Sequence, residues 1–310
     1  MALLNFKRKD EIAPLRPTPE VEAFLKGYSI EVMPRTAEKV ESFRELLPEG
    51  TRVYIAHIEG TPIDDMVATA KRLNAEGYPV MPHFPARIIK DKATLADWIA
   101  RYQGEADVRQ GLLLAGGVST PVGDFDSSMQ LMETGLFDEA GFTRLHVAGH
   151  PEGNRDIDPK GGMTNVTAAM KWKDAFQART DAKMAIATQF AFEARPIIDW
   201  AESLKSEGIT LPIHIGIAGP AKLQTLIKFA IACGVGPSLK VLQKRAMDVT
   251  KLLLPYEPTE VVAELAAYKA AHPDFNITNV HFFPLGGIKT NATWAIENGG
   301  ASTVPAAATA

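Results

Sequence analysis

Glu31 is the residue whose type and setting most clearly suggest chemistry. It lies between Ile30 and Val32 in the apolar run Tyr28–Met33. Burial of a carboxylate in such a run should raise its pKa, and a carboxyl group with a raised pKa can donate a proton near neutral pH. We therefore predict that Glu31 acts as a general acid. The alternative is a glutamate that faces solvent or pairs with Arg35.

Two more polar side chains lie at the ends of apolar runs and could bind a ring system. His83, after Pro82, could orient a ring or donate a hydrogen bond as a neutral imidazole. Gln189 has a donor and an acceptor on one side chain, which suits the edge of a heterocycle, and Phe190 and Phe192 follow it. The alternatives are a structural histidine and a core glutamine bonded to nearby backbone.

A pair of glycines could bring backbone amides close to a ring or a phosphate. Ala115, Gly116 and Gly117 end the fourth apolar run, and an ordinary turn is the alternative. No third glycine opens a helix at the offset of the dinucleotide-binding fingerprint.

The loop from His150 to Asp156 gathers a histidine, an acid, an amide and an arginine. Such a density of polar groups suits a polar ligand, and the alternative is a solvated loop. Lys171 and Lys173 follow on a predicted helix and could meet a phosphate, unless they are simply solvated. No spacing of carboxylates and histidines matches a standard metal site, so we predict no metal.

Eight short apolar runs predict the elements that position these residues. The runs are Tyr28–Met33, Arg52–His57, Tyr78–Phe84, Gly111–Ala115, Arg144–Gly149, Met184–Gln189, Leu211–Ile217 and Asn279–Phe283. Segments of helical period separate them, which is typical of a parallel sheet with crossover helices. The pattern predicts an α/β fold, a closed (β/α)8 TIM barrel with its active site at the carboxyl ends of the strands. Helical patterns over 221–233, about 237–253 and about 258–271 predict extra helices after the seventh strand.

The composition limits the classes of function. The 310 residues, 46% hydrophobic and 23% charged with a net charge of -4, indicate a soluble globular protein with a small-molecule substrate and no nucleic-acid surface. The single cysteine, Cys233, excludes an internal disulfide and a multi-thiolate metal centre. Without a signal sequence or an apolar span, we expect a cytoplasmic protein. Residues 1–18 are expected to be mobile, 19–298 to form the barrel, and 299–310 to be a disordered tail.

An ordered set of short motifs resembles the methylenetetrahydrofolate reductase family over about residues 28–296. The motifs are Glu31 with Pro34, Arg35 and Thr36; Pro82 with His83; Gly116; Pro151 with Glu152; Thr188, Gln189 and Phe190; and His281, Phe282 and Phe283. The resemblance implies an FAD-containing (β/α)8 barrel that takes a hydride from NADH or NADPH. It would reduce 5,10-methylenetetrahydrofolate to 5-methyltetrahydrofolate, in one-carbon metabolism and methionine biosynthesis.

By the same resemblance, Glu31 is the general acid and two sets of residues bind the ligands. The flavin set is His83, Ala115, Gly116, Gly117, His150, Asn154, Arg155 and Lys173. The folate set is Gln189, Phe190, Phe192 and His57. Opening of the folate ring needs a proton on the departing nitrogen, and a carboxyl group beside the pterin would supply it.

The sequence departs from the family pattern around the flavin. Ala115 and Gly117 stand where the family has an arginine and an aspartate, and His150 and Asn154 stand where it has a tyrosine and a histidine. We expect altered flavin affinity and a different choice of reductant. The alternatives are a folate reductase that receives electrons from a partner iron–sulfur protein, a non-catalytic folate- or flavin-binding protein, and a metal-dependent aldolase on the same fold. A homo-oligomer is compatible with each.

Overall fold

Eight parallel strands close into a barrel in the order of the sequence, and β1 pairs with β8. The computed structural model describes residues 17–234, 239–243 and 255–301. The strands are β1 (Ser29–Val32), β2 (Arg52–Ile55), β3 (Val80–Pro85), β4 (Gln110–Leu114), β5 (Arg144–Gly149), β6 (Lys183–Ala191), β7 (Ile213–Ala218) and β8 (Ile277–Phe283). Each predicted apolar run overlaps one of these strands, so the predicted (β/α)8 barrel is confirmed.

Helices surround the barrel and connect its strands. They are α1 (Pro19–Leu25), α2 (Pro34–Ala37), α3 (Ile63–Ala75), α4 (Lys92–Ala106), α5 (Ser128–Glu133), α6 (Leu136–Glu139), α7 (Thr164–Phe176), α8 (Ala194–Ser206), α9 (Leu223–Ala232), α10 (Thr259–Ala271) and α11 (Ile288–Ala295). Both α9 and α10 follow β7, as predicted. The predicted helix over about 237–253 lies mostly outside the described residues, as do most of 1–18 and 299–310. No helix in the described part of the chain is long and apolar enough to cross a membrane.

The main core lies between the strands and the helices. In β1, Ile30 and Val32 belong to this apolar layer, because successive side chains of a strand point to opposite faces. Ser29 and Glu31 alternate with them and face the barrel interior. The same alternation brings one polar side chain from each of several strands to the interior.

The interior of this barrel contains several polar side chains beside the apolar residues Met81, Leu112 and Ala187, whereas branched apolar side chains usually fill it. Tyr54 Oη lies 2.6 Å from His146 Nδ1, and the rings of His146 and His214 are 4.6 Å apart. Ser29 Oγ lies 3.0 Å from His281 Nδ1, and the His281 ring lies 4.3 Å from that of Tyr54. Hydrogen bonds and ring contacts therefore connect polar side chains of β1, β2, β5, β7 and β8 inside the barrel.

A bulge in β6 changes the register of this strand against β7 between Ala187 and Phe190. Gly216 in β7 lies against the bulge, and its backbone N–H donates to Thr188 Oγ1 at 2.8 Å. A Cβ atom at Gly216 would lie 2.5 Å from the Thr188 carbonyl oxygen and 2.7 Å from that of Gln189. The bulge that carries Gln189 therefore requires a glycine on the neighbouring strand.

Candidate functional site

Glu31 lies near the carboxyl end of β1, against two imidazoles from other strands. Its Oε2 is 3.2 Å from Nε2 of His83, on β3, and 3.7 Å from Nε2 of His281, on β8. Both Nε2 atoms are buried, and neither forms a hydrogen bond of standard geometry within the described residues. Glu31 therefore pairs with histidines, and no described contact joins it to Arg35.

The pKa of Glu31 is lowered to about 2, so the predicted rise is wrong. Burial alone would raise this pKa, as the sequence suggested, but the charge of His83 and the approach of both imidazoles outweigh burial. The imidazoles come from strands far away in the sequence. The apolar neighbours of Glu31 alone therefore predicted the wrong direction for its pKa shift. Glu31 is a carboxylate at neutral pH in this setting.

His281 connects Glu31 to the polar interior. Its Nδ1 faces Ser29 Oγ, which also donates to the carbonyl oxygen of Val280 at 3.4 Å. Burial lowers the pKa of His281, and the carboxylate of Glu31 opposes part of that effect.

The sequence indicated His281 only through the family resemblance. The residues missed altogether were Ser29, Tyr54, His146 and His214. Alternation along each strand was the signal that could have found them, since Ser29 shares a face with Glu31.

Gln189 lies at the bulge near the end of β6, as predicted for a residue at the mouth. Its side-chain Nε2 donates to the carbonyl oxygen of Cys233 at 3.2 Å, and its Oε1 has no described partner. Phe190 and Phe192 are buried next to it, with ring centroids 5.7 Å apart, and Phe190 also contacts Phe283 of β8. These aromatic rings form a small apolar cluster beside Gln189.

The Ala115–Gly117 turn follows β4 directly and is fixed by backbone contacts. The carbonyl oxygen of Ala115 accepts a hydrogen bond from the backbone N–H of Arg87 at 2.9 Å, and Gly116 has a φ of 99°, which favours glycine. The Arg87 guanidinium forms ion pairs of 2.7 Å with Asp126 and with Asp156. Arg87 thus ties the loops after β3, β4 and β5 together, and two carboxylates neutralise its charge.

The buried Lys173 and the half-buried His150 form a basic pair at the end of β5. Lys173, on α7, is buried, and its Nζ donates to the carbonyl oxygen of Ala148 at 3.1 Å. Burial lowers the pKa of Lys173 to about 8. Burial, together with the charge of Lys173, lowers the pKa of His150 to about 4. No carboxylate contributes to either pKa.

The remaining predicted ligand residues are used by the protein itself or face solvent. Asn154 Oδ1 accepts a hydrogen bond from the backbone N–H of Asp156 at 2.8 Å, and Arg155 is exposed. His57 is buried, its ring contacts that of Trp98 in a tilted arrangement with centroids 4.9 Å apart, and its Nε2 lies 2.9 Å from the Thr61 carbonyl oxygen. None of the three contacts Glu31, so the structure does not bring the whole predicted set together.

Within the described ranges, no group of three or more histidine, cysteine, aspartate or glutamate side chains could hold a metal ion. The arrangement at the mouth is instead suited to proton transfer, because the Nε2 atoms of His83 and His281 both approach the same carboxylate oxygen, Oε2 of Glu31.

No protein-family model matches this chain. Among solved structures, an uncharacterized protein from Clostridium thermocellum that binds two copies of 5-methyl-5,6,7,8-tetrahydrofolic acid has a TM-score of 0.56 at 11% identity, over 88% of this chain and 95% of that one. A mandelate racemase/muconate lactonizing enzyme from Bordetella bronchiseptica has a TM-score of 0.43 at 12% identity, over 91% and 62%. The carboxyl transferase domain of Rhizobium etli pyruvate carboxylase has a TM-score of 0.41 at 9% identity, over 84% and 50%. At such identities the likeness concerns the fold alone.

Proposed function

We propose that this protein binds a reduced folate at the mouth of its barrel and catalyses flavin-dependent reduction of 5,10-methylenetetrahydrofolate to 5-methyltetrahydrofolate, with Glu31 as the proton donor. The observation that carries the proposal is the cluster of Glu31, His83 and His281 near the carboxyl ends of three strands, where enzymes of this fold keep their active sites. The folate bound by the Clostridium thermocellum protein supports the choice of ligand class.

Glu31 would protonate the nitrogen that leaves when the five-membered ring of the folate opens. Because its carboxyl group is ionised at neutral pH, it must first take up a proton. A folate that covers the carboxylate would exclude water and raise the pKa of Glu31, which favours the protonated form. Bound FAD would supply the hydride, with NADH or NADPH as the electron source and a partner iron–sulfur protein as the alternative.

Gln189 would hold the edge of the pterin. Its Oε1 is the half of the amide with no described protein partner, and its Nε2 has one long contact, to Cys233. A donor and an acceptor on one side chain match the alternating donors and acceptors of a pterin edge. Phe190 and Phe283 would pack against the apolar side of the pterin ring.

The residues at the end of β5 fit the phosphates of FAD in part. Lys173 Nζ has three N–H donors and one acceptor, and no carboxylate pairs with it, within the described residues. Gly117 leaves space beside the backbone, since no atom lies within 4 Å of a Cβ built there, and the charge of Lys173 acts on His150. Arg87 offers no free charge, because Asp126 and Asp156 pair with it. We therefore expect Lys173, His150 and the glycine turn to hold FAD more weakly than a site with a second free cation would.

A folate-binding protein without flavin chemistry is the second candidate. It is favoured by the neutralised guanidinium of Arg87 and by the absence of a second uncompensated cation beside Lys173 in the part of the chain that the structure describes. Flavin binding separates the two candidates.

Titrations with FAD and with 5-methyltetrahydrofolate test the proposal. Gln189→Ala is expected to weaken folate binding by about 1–3 kcal/mol, because the heterocycle edge loses its partner, and to change FAD binding by less than about twofold. Gln224→Ala, at an exposed position of α9, is the matched control and should change neither. Equal loss of both ligands in Gln189→Ala would contradict a folate contact. A wild-type protein that binds folate but not millimolar FAD would favour the second candidate.

A further inference from the structure

Two arginines lie on the inner face of the barrel at its amino end. Arg52 is the first residue of β2, and Arg144 is the first residue of β5. The next residue of each strand belongs to the apolar layer under the helices, and the one after it, Tyr54 or His146, faces the interior. Because side chains alternate along a strand, Arg52 and Arg144 share the inner face with Tyr54 and His146. Both arginines are half-buried.

The two guanidinium groups lie near each other, beneath the contact between Tyr54 and His146. Tyr54 Oη lies 2.6 Å from His146 Nδ1, which joins two strands that are not neighbours in the sheet, and each arginine precedes one of these residues by two positions. The charge of Arg52 lowers the pKa of Arg144, and both charges lower the pKa of His146. Two like charges therefore share the amino end of the barrel.

No carboxylate compensates these two charges among the described residues. Arg52 Nε donates to the neutral amide of Gln110, whose Oε1 is 2.9 Å away, and Gln110 pairs with Arg144 in the register between β4 and β5. Burial lowers the pKa of both arginines, and no described carboxylate raises either one. Withdrawal of a guanidinium from water without an acidic partner costs free energy, and a bound anion would offset that cost.

A cleft of about 240 Å³ opens at the same end of the barrel. Its lining includes Gln110, which accepts the hydrogen bond from Arg52, and Thr143, the residue before Arg144. The acid in this lining, Asp107, has its carboxylate 3.8 Å from Nε of Arg109. A small ion can therefore approach Gln110 from the amino end without crossing the mouth of the barrel.

We propose that Arg52 and Arg144 form a binding site for inorganic phosphate at the amino end of the barrel, opposite the mouth where we place the folate. Each guanidinium has a planar fork of N–H donors that matches the oxygen atoms of a phosphate. Arg52 uses its Nε on Gln110, which leaves its two terminal nitrogens for the anion. The phosphate offsets the repulsion between the arginines and so stabilises the closed sheet. This inference goes beyond the proposed function and does not depend on it.

Calorimetric titration of the full chain with inorganic phosphate tests the site, at an ionic strength held constant with chloride. Wild type should bind phosphate saturably. Arg52→Gln and Arg144→Gln should each weaken binding by about tenfold or more, because each loses charge-assisted hydrogen bonds. Arg144→Lys keeps the charge without the fork and should give an intermediate affinity. Arg195→Gln is the matched control, because this exposed arginine of α8 pairs with Asp199, and it should bind phosphate as wild type does.

The Lys173→Met variant separates this site from the buried cation at the mouth. It should bind phosphate as tightly as wild type. If Lys173→Met loses phosphate while Arg52→Gln and Arg144→Gln keep it, the anion binds at the mouth and the proposal is wrong. Absence of binding to wild type would overturn it as well.

Thermal unfolding gives a second readout that a purely structural arginine would not produce. Without phosphate, Arg144→Gln should be at least as stable as wild type, because it removes a desolvated charge that Arg52 repels. Phosphate should raise the Tm of wild type and have a much smaller effect on Arg144→Gln. An equal rise with chloride at the same ionic strength would indicate general screening and contradict a site. Arg144→Lys keeps the charge, so both measurements remain decisive if Arg144→Gln does not fold.

Discussion

His146 and His214 are histidines that the barrel keeps neutral. Both are enclosed in the interior, where burial and nearby positive groups, including Arg52 and Arg144, lower each pKa well below 6.5. In the unfolded chain the same imidazoles regain an ordinary pKa. The unfolded state therefore binds protons before the folded state does as the pH falls.

The contribution of these histidines to the free energy of unfolding should consequently be constant above about pH 7.5 and fall at lower pH, by up to about 1.4 kcal/mol per pH unit for each such histidine. His57, His150 and His281, whose pKa values are also lowered, act in the same direction. Urea unfolding between about pH 8 and 5 measures this slope. His214→Gln should reduce the slope by up to one proton. A free energy that is independent of pH over this range would mean that these histidines are not held neutral.

At the scale of the elements, the bulge of β6 and the glycine of β7 form one unit. Gly216→Ala would place a methyl group 2.5 Å from the Thr188 carbonyl oxygen. We expect a loss of about 1–3 kcal/mol in the free energy of unfolding, as in an overpacked core, together with weaker folate binding because Gln189 moves. Denaturant unfolding and folate titration measure the two effects.

Gly104→Ala is the matched control for that substitution. Gly104 lies within α4, and no atom is within 4 Å of a Cβ built there, so this change should stabilise the protein by about 0.5–1 kcal/mol. If Gly216→Ala were as stable as Gly104→Ala and bound folate normally, the bulge would not depend on the close approach of these strands.

The elements themselves could be predicted because their signals are local. Apolar runs bounded by glycine, proline and polar residues located all eight strands, and residues such as Glu31, His83 and Gln189 fell near strand ends as expected. The partners of Glu31 could not be predicted in this way. His281 meets it through the closure of β8 onto β1, some 250 positions apart in sequence, and no local period contains that register. The same holds for the bulge, which depends on a glycine in another strand.

For the whole molecule, one end of the barrel gathers the groups that the proposed reaction needs. Glu31, His83 and His281 would transfer the proton, Gln189 lies at the rim on β6, and Lys173 is a buried cation behind β5 with no carboxylate partner among the described residues. A single strand supplies no more than one or two of these groups. The closed sheet is what brings them to the same mouth.

The central claim is that Glu31 supplies the proton for reduction of the folate. Its most direct test is stopped-flow absorbance of bound flavin in two separate half-reactions, with wild type, Glu31→Gln and the exposed control Glu38→Gln. Flavin reduction by the electron donor needs no proton from this carboxyl group and should be unchanged in all three proteins. Reoxidation by 5,10-methylenetetrahydrofolate should be slower by roughly a hundred- to ten-thousand-fold in Glu31→Gln, and normal in Glu38→Gln. Reoxidation of Glu31→Gln within a few-fold of the wild-type rate would contradict the claim.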